Sequence, residues 1–336
     1  MNIPIRSKSR SRPARERAGI AIGLINNMGD EALKSTERQF GGLLSEAASD
    51  IGVSFRIFAL KSTRRSPRAL DYINARYEPA SAAMDGDLDG LIMTGAQPQA
   101  DCLSEEPYWE ELAELIDWAK LHTTSTILSC LAAHAGVLHL DSVERRPLPE
   151  KCTGVFGFTA DRTHSLVGKQ GRVSLVPHSR YNGLSRSELE QAGYVILTSS
   201  PGCGVDSFVK SFGSQFVFLQ GHPEYDANSL AREYRRDVDR YLRGEVARKP
   251  ARPRGYFAAQ SEAELDAMER SAHQDRGRMQ ITDISIIDAL APAEATWRET
   301  AIAFYRSWIG MIANANTKTR APLNAGIDEL SSGIFL

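Results

Sequence analysis

Four short apolar runs constrain the first half of the chain. They are G-I-A-I-G-L-I-N-N (19–27), V-S-F-R-I-F-A-L (53–60), L-D-G-L-I-M-T-G (88–95) and S-T-I-L-S (125–129). Runs this short and this apolar are the pattern of strands covered on both faces. Between them the spacing becomes helical. Residues 31–48 put Leu33, Phe40, Leu43, Leu44 and Ala47 on one face, and residues 107–121 read as an amphipathic helix with Pro107 in its first turn. A short helix near 68–76 interrupts the charged connection 61–87, and another helix follows at 131–140. Strands alternating with helices mean βαβ units. The expected fold class is therefore α/β, a doubly wound, mostly parallel sheet with helices on both faces.

The second half changes character. V-S-L-V-P (173–177), Y-V-I-L-T-S (194–199), D-S-F-V-K (206–210) and Q-F-V-F-L-Q (215–220) are closely spaced strands, with little room for a helix between the last two. They predict antiparallel additions to the sheet and then a return into its core. Residues 229–243 form a charged helix with an apolar stripe of Leu230, Tyr234, Val238 and Leu242. K-P-A-R-P-R-G (249–255) reads as a linker, with one further helix near 294–313. The expected organisation is a disordered basic tail at 1–18 and an α/β domain at 19–248. A C-terminal extension at 249–336 would pack on that domain and end in disorder.

A chain of 336 residues is long enough for one large core with appendages, and a net charge of -2 offers no global attraction to nucleic acid or to a membrane surface. The tail carries Arg6, Lys8, Arg10, Arg12, Arg15 and Arg17 against a single acid, Glu16. A transit peptide or a nucleic-acid arm could look like this. No apolar segment precedes the first strand, so a solvated tail is the expectation. No apolar run reaches the roughly 18 residues of a membrane-spanning helix. Cys102, Cys130, Cys152 and Cys203 form no C-x-x-C pair. That argues against a disulfide framework or a structural zinc site and fits a reducing cytoplasm.

Cys130 stands in T-I-L-S-C-L-A-A-H (126–134), directly after a strand and at the head of a helix. In an open α/β sheet, ligands bind beyond the carboxyl ends of the strands. A helix N-terminus favours a thiolate, and its amides can hold an oxyanion. The strand–turn–helix placement is that of a nucleophile elbow, but Leu128 and Ala132 replace its glycines, so a buried inert cysteine is the better reading of the local sequence alone. Q-G-H-P-E-Y-D (220–226) follows another apolar strand. There Glu224 could orient His222 and stabilise its charged form, the third-member role in a nucleophilic triad. A polar loop with a chance histidine is the alternative. No second histidine or carboxylate pair stands at metal-ligand spacing.

Cysteine followed by His-Pro-Glu on this strand pattern resembles the class I glutamine amidotransferase fold. More specifically, the chain is similar to the homoserine O-succinyltransferase and O-acetyltransferase family. The matching stretches are D-G-L-I-M-T-G-A (89–96), Y-W (108–109), T-S-T-I-L-S-C (124–130), E-K-C-T-G-V-F (150–156), P-H-S-R-Y (177–181), G-H-P-E-Y-D (221–226), R-R-D-V (235–238) and A-T-W-R (295–298). The resemblance implies an acyl-CoA-dependent acylation of the homoserine hydroxyl, in methionine biosynthesis, by a ping-pong mechanism. Cys130 would be acylated, His222 would act as acid and base, and Glu224 would orient His222. Oxyanion donors would be the amides of Leu131 and of Gly95–Ala96. Ser179 and Arg236 match positions that hold the amino acid, and Lys151 falls in the matching E-K-x-x-G stretch. His134, one helical turn past Cys130, would be a helix residue rather than the base.

The chain also departs from the family. Family members carry M-P-x-K-x-x-T-E after the first strand, and here M-G-D-E-A-L-K-S-T-E (28–37) needs a two-residue insertion, leaving Lys34 as the candidate for that lysine. The position associated with acyl choice, glycine for succinyl and glutamate for acetyl, aligns with Gln99. The donor, succinyl-CoA or acetyl-CoA, therefore stays open, as does serine in place of homoserine. Other readings of the same residues are a glutamine amidotransferase-like amidase or hydrolase and a non-catalytic binding protein. A cytoplasmic enzyme with no bound cofactor, no metal and no nucleic-acid or membrane partner is expected, with a homodimer as the family's assembly.

Overall fold

Ile20–Ile25 is buried at every position, as a strand needs when helices cover both faces of its sheet. The computed structural model describes residues 19–48, 51–274 and 283–320. The expected tail at 1–18 and the end beyond residue 320 lie outside the described residues. The chain runs β1 (Ile20–Ile25), α1 (Leu33–Ala47), β2 (Val53–Ala59), α2 (Pro67–Arg76), β3 (Glu78–Pro79), α3 (Ser81–Met84), β4 (Gly90–Thr94), α4 (Trp109–His122), β5 (Ser125–Ser129) and α5 (Leu131–Asp141). It continues through β6 (Arg146–Ala160), β7 (Val173–Gly183), α6 (Arg186–Gln191), β8 (Val195–Ser200), β9 (Gly204–Phe212), β10 (Ser214–Leu219), α7 (Ser229–Leu242), α8 (Ala259–Gln274), α9 (Ile286–Ala289) and α10 (Arg298–Arg320).

The strands form one sheet in the order β3-β2-β1-β4-β5-β10-β9-β8-β6-β7. From β3 to β10 every neighbour is parallel, and from β10 to β7 every neighbour is antiparallel. The β9–β10 hairpin is the predicted return: β10 runs antiparallel to β9 and then parallel to β5, with Leu219 beside Ser129. Helices α4 and α5 pack on one face, where Leu112, Leu115, Ala132 and Val137 meet Met93, Leu128 and Phe218. On the other face α1 and α10 bring Phe40, Leu43, Tyr305 and Trp308 against Ile22, Ile92 and Ile127. This is a class I glutamine amidotransferase-like, doubly wound sheet with antiparallel additions.

The C-terminal segment is part of that core. Trp308 is fully buried and donates Nε1–H to Ser125 Oγ at 2.9 Å, and Asn316 donates to Asp89 at 2.7 Å. A β-carbon at Gly90 would lie 2.8 Å from Ile312 and 3.0 Å from Trp308, so the glycine lets α10 lie directly on β4. Truncating Trp308 to alanine would cost about 3–5 kcal/mol.

Four differences from the sequence expectation have physical causes. Strand β6 is missed by periodicity because R-P-L-P-E-K-C-T-G carries two prolines and its register shifts between Pro147 and Cys152. The stretch 249–255 is no free linker: Arg254 donates its N–H to the Thr153 carbonyl at 2.9 Å and accepts from Val155 N–H at 2.8 Å. Helix α8 is mostly polar, and Leu265 is its buried anchor. Helix α4 starts at Trp109, leaving Pro107 in the turn before it.

Candidate active site

Cys130 is the single residue between β5 and α5, and the chain reverses there with φ 51° and ψ −112°. A non-glycine residue held at positive φ costs about 1–3 kcal/mol and persists only where its surroundings impose it. Here the Cys130 N–H donates to the Leu219 carbonyl of neighbouring β10 at 2.7 Å, and its own carbonyl accepts from Ala133 N–H at 3.0 Å. The residue after β4 completes the clamp. A β-carbon on Gly95 would fall 2.3 Å from Leu131 Cβ and 2.9 Å from the Ala132 nitrogen. Only glycine allows that loop to reach the first turn of α5, where amides have no acceptor inside the helix. Gly95, Ala96 and Leu131 are thus gathered beside the cysteine.

His222 and Glu224 follow β10, the strand adjacent to β5. His222 is anchored by its N–H to the Pro177 carbonyl at 2.8 Å, and its Nδ1 lies 2.8 Å from Glu224 Oε1. A carboxylate on Nδ1 places a proton there and leaves Nε2 for the cysteine. The ring stacks on Tyr225 with centroids 4.2 Å apart. Burial alone depresses the imidazole's pKa, but the facing Cys130, by charge and hydrogen bond, together with Glu224, raises it well above the usual value.

A buried network aims this turn. Asp206 accepts Gly221 N–H at 3.0 Å and the Thr198 hydroxyl at 3.1 Å, and lies 3.2 Å from His178 Nε2. Burial lowers the His178 pKa, outweighing the opposing pull of Asp206. His134, by contrast, is fully buried on α5 and bonds Gln220 at 2.9 Å. Burial pushes its pKa down to about 4, although the Gln220 bond raises it.

Beyond the histidine, α7 faces β6 and β7. Lys151 Nζ lies 2.6 Å from Asp237 Oδ2, and Asp237 Oδ1 accepts from Arg236 at 3.0 Å and 3.2 Å. Burial would raise the Asp237 pKa, but Lys151 and then Arg236 outweigh it and hold it low. Arg236 remains 47% exposed, so its guanidinium reaches solvent while one edge is fixed. Ser179 pairs with Thr153 across β6 and β7, and Lys151 Nζ lies 5.4 Å from the ring centre of Tyr181, two residues on from Ser179 and so on the same face of β7. Glu233, three residues before Arg236, accepts from the Tyr225 hydroxyl at 2.6 Å, while its Oε2 is buried with no partner among the described residues. Trp297, of A-T-W-R, donates to the Tyr225 carbonyl at 3.0 Å.

Two further expected residues have the following contacts. Lys34 lies over the Tyr72 ring at 4.7 Å. Gln99 sits in the loop after β4 and donates its backbone N–H to buried Glu106 at 2.6 Å, as does Ala100 at 2.9 Å. Asp206, Tyr225 and Glu233 were not found from the sequence. The signal for the last two was present, since Tyr225 stands inside the quoted G-H-P-E-Y-D and Glu233 two residues before R-R-D-V. Asp206 is placed only by the hairpin. Among the described residues no group of three or more His, Cys, Asp or Glu could hold a metal, and no helix is long and apolar enough to cross a membrane. Near Lys151, a cavity of about 450 Å³ is lined by Cys152 and Cys203, whose sulfurs are 3.1 Å apart, with Arg180 and Arg254.

Comparison of the whole chain with known proteins points to one family. The family profile described as homoserine O-succinyltransferase matches residues 2–319. A homoserine O-succinyltransferase of Rhodopseudomonas palustris is 45% identical over 92% of each chain. One of Bradyrhizobium japonicum is 44% identical over 90% of this chain and 93% of its own, and one of Methylorubrum extorquens is 42% identical over 88% of each. Among solved structures, a GMP synthase-type protein of Thermoplasma acidophilum aligns with TM-score 0.50 at 14% identity, covering 91% of this chain and 100% of that one. That likeness is one of fold alone.

Proposed function

The chain belongs to the homoserine O-succinyltransferase family, and from that premise we propose that Cys130 carries the acyl group of an acyl-CoA as a thioester and passes it to the side-chain hydroxyl of L-homoserine. The enzyme is an acyltransferase, and the step belongs to methionine biosynthesis, which suits the cytoplasm. One observation carries the mechanism: a cysteine held at positive φ faces a buried histidine whose other nitrogen is bonded to a carboxylate.

In the first half-reaction the Cys130 sulfur attacks the thioester carbonyl. The amides of Leu131 and of Gly95–Ala96 receive the developing oxyanion, and coenzyme A leaves as its thiol with the proton from His222. In the second, His222 Nε2 takes the proton of the homoserine hydroxyl as its oxygen attacks the enzyme thioester. The tetrahedral intermediate collapses, the ester leaves, and the Cys130 thiolate is restored beside an imidazolium. Glu224 keeps His222 in the needed tautomer and stabilises its charge.

The acceptor is a zwitterion, and α7 presents both complements on one face. Arg236 would take the carboxylate with its exposed edge, and Glu233 would take the ammonium with its unpartnered oxygen. Asp237 and Lys151 fix Arg236 from behind, with Ser179 at the same wall.

The test is incubation with succinyl-CoA or acetyl-CoA in the absence of homoserine, followed by intact mass spectrometry. One acyl mass on Cys130, discharged when homoserine is added, is the expected result. No adduct from either donor would sink the mechanism.

A further inference from the structure

The connection between β2 and α2 carries Arg65, whose side chain is only 2% exposed. Its Nη1 donates to the Met28 carbonyl and lies 3.4 Å from Asp30 Oδ1. Its Nε and Nη2 are buried and have no acceptor among the described residues. These two nitrogens form one edge of the guanidinium, the edge whose parallel N–H groups match a carboxylate. Asn27, after β1, repeats the pattern. Its Oδ1 accepts from the Thr63 hydroxyl, while its Nδ2 is buried and finds no acceptor among the described residues. Three orphaned donors therefore lie where the connections after β1 and β2 cross.

A buried cation with three of its five N–H donors unpaired is costly, and native proteins pair such groups. Asp30 compensates only from the far side, and its carboxylate is also engaged by Ser66 N–H at 2.8 Å. Burial lowers the Arg65 pKa, with Asp30 opposing, the direction of an under-compensated cation.

The location connects this edge to the reaction. Asn27 N–H donates to the hydroxyl of Thr94, the last residue of β4, at 2.9 Å. Gly95, the next residue, touches Leu131 beside Cys130. Strands lie about 4.8 Å apart, so the ends of β1 and β5, with β4 between them, are about 10 Å apart. A four-carbon acyl chain on the cysteine, projecting along the strand ends, and the fork of an arginine reaching inward can share that gap. The two nitrogens are closed to solvent, so a ligand reaches them only when residues 26–32 and 60–66 part.

We propose that the Nε–Nη2 edge of Arg65, with the Asn27 amide, holds the distal carboxylate of a dicarboxylic acyl group, which selects a succinyl donor over an acetyl one. The inference rests on the acyl-transfer reading above and adds to it the residues that hold the far end of the acyl group.

The experiment follows acylation of Cys130 by quenched-flow mass spectrometry, without homoserine, using succinyl-CoA and acetyl-CoA in separate arms. Arg65→Gln should slow the succinyl arm about 100-fold, the loss expected when one partner of a buried charge pair is removed, and change the acetyl arm far less. Asn27→Asp, of the same shape, supplies an internal carboxylate to the fork. It should cut the succinyl arm selectively while leaving the melting temperature unchanged or higher, which separates the effect from misfolding. An equal fall in both arms, or an unaffected succinyl arm, overturns the proposal. So does a loss confined to the apparent affinity for homoserine, which would assign the edge to the amino acid's carboxylate. Absence of any adduct in the unaltered enzyme sinks the acyl-transfer reading and this inference together. Adducts whose donor ratio ignores Arg65 sink this inference alone.

Discussion

Glu224 Oε1 stands 2.8 Å from His222 Nδ1, with only Pro223 between the two residues. Proline fixes the backbone between them, so a side chain and its orienting partner arrive as one unit at the end of β10. Glu224→Gln keeps the shape and removes the charge. Overall acyl transfer to homoserine should fall by roughly 10²-fold or more with the fold intact, measured as turnover and circular dichroism. A raised folded-state pKa means that His222 contributes stability fully present below its ordinary value near 6.5 and lost as pH rises through the raised one. The variant should move that loss to lower pH. A rate within about threefold of the parent would remove Glu224 from the mechanism.

Arg236 and Lys151 share one carboxylate, Asp237. If Arg236 holds the acceptor, Arg236→Ala should raise the KM for homoserine by about 30-fold or more while the acylation of Cys130 is largely spared. Steady-state kinetics beside the isolated half-reaction decides it. Equal losses in both would mean that the arginine only braces α7.

The strands that frame the site were legible because each is a buried run with a glycine or small residue at its end. Cys130 and His222 could be placed on one sheet edge from the residues alone, since β5 and β10 both read as core strands. The sequence was silent on β6, where prolines and a register shift hide a 15-residue strand, and therefore on the proximity of Cys152 to Cys203. It was equally silent on Arg65. A guanidinium in a charged connection reads as solvated, and its burial comes from the crossing of two loops rather than from its own segment. For Lys34 the motif offered only a position, and the packing partner, the ring of Tyr72, comes from a different segment of the chain.

Cys152 and Cys203 are free thiols with sulfurs 3.1 Å apart, one on irregular β6 and one in the turn between β8 and β9. The hydrogen bond between the two sulfurs is the main influence on both, lowering the Cys152 pKa and raising that of Cys203. That bond favours one thiolate facing one thiol, and a thiolate beside Arg180 and Arg254 is the nucleophilic form. A mild hydroperoxide should oxidise that thiolate to the sulfenic acid, releasing the alcohol, and the other thiol should then displace water to give the disulfide. Of the four thiols, two should stop titrating and return on reduction, and Cys152→Ser should prevent this. The adjacent Lys151 gives a second readout, since tightening β6 at Cys152 should raise the KM for homoserine. Oxidation confined to Cys130 would count against the pairing.

His134 supplies a pH test away from the reacting atoms. Gln220 donates its amide to the Val205 carbonyl at 2.7 Å, so its oxygen must be what faces His134, and the imidazole carries its proton on Nε2. Nδ1 is buried without an acceptor among the described residues, so charging the ring would bury an unpaired N–H⁺. That is why the folded-state pKa sits at about 4. The sign follows from linkage. Below about pH 6.5 the unfolded chain binds a proton that the folded chain refuses, so stability is lost as pH falls from there toward 4 and is independent of this group above. The full loss is about 3 kcal/mol. His134→Gln cannot titrate, so its stability should decline less steeply over the same window, whatever its starting value. Denaturant unfolding of both proteins between pH 7.5 and 4.5 measures the difference in slope. Parallel curves would mean that His134 takes up its proton in the folded state as readily as in the unfolded one.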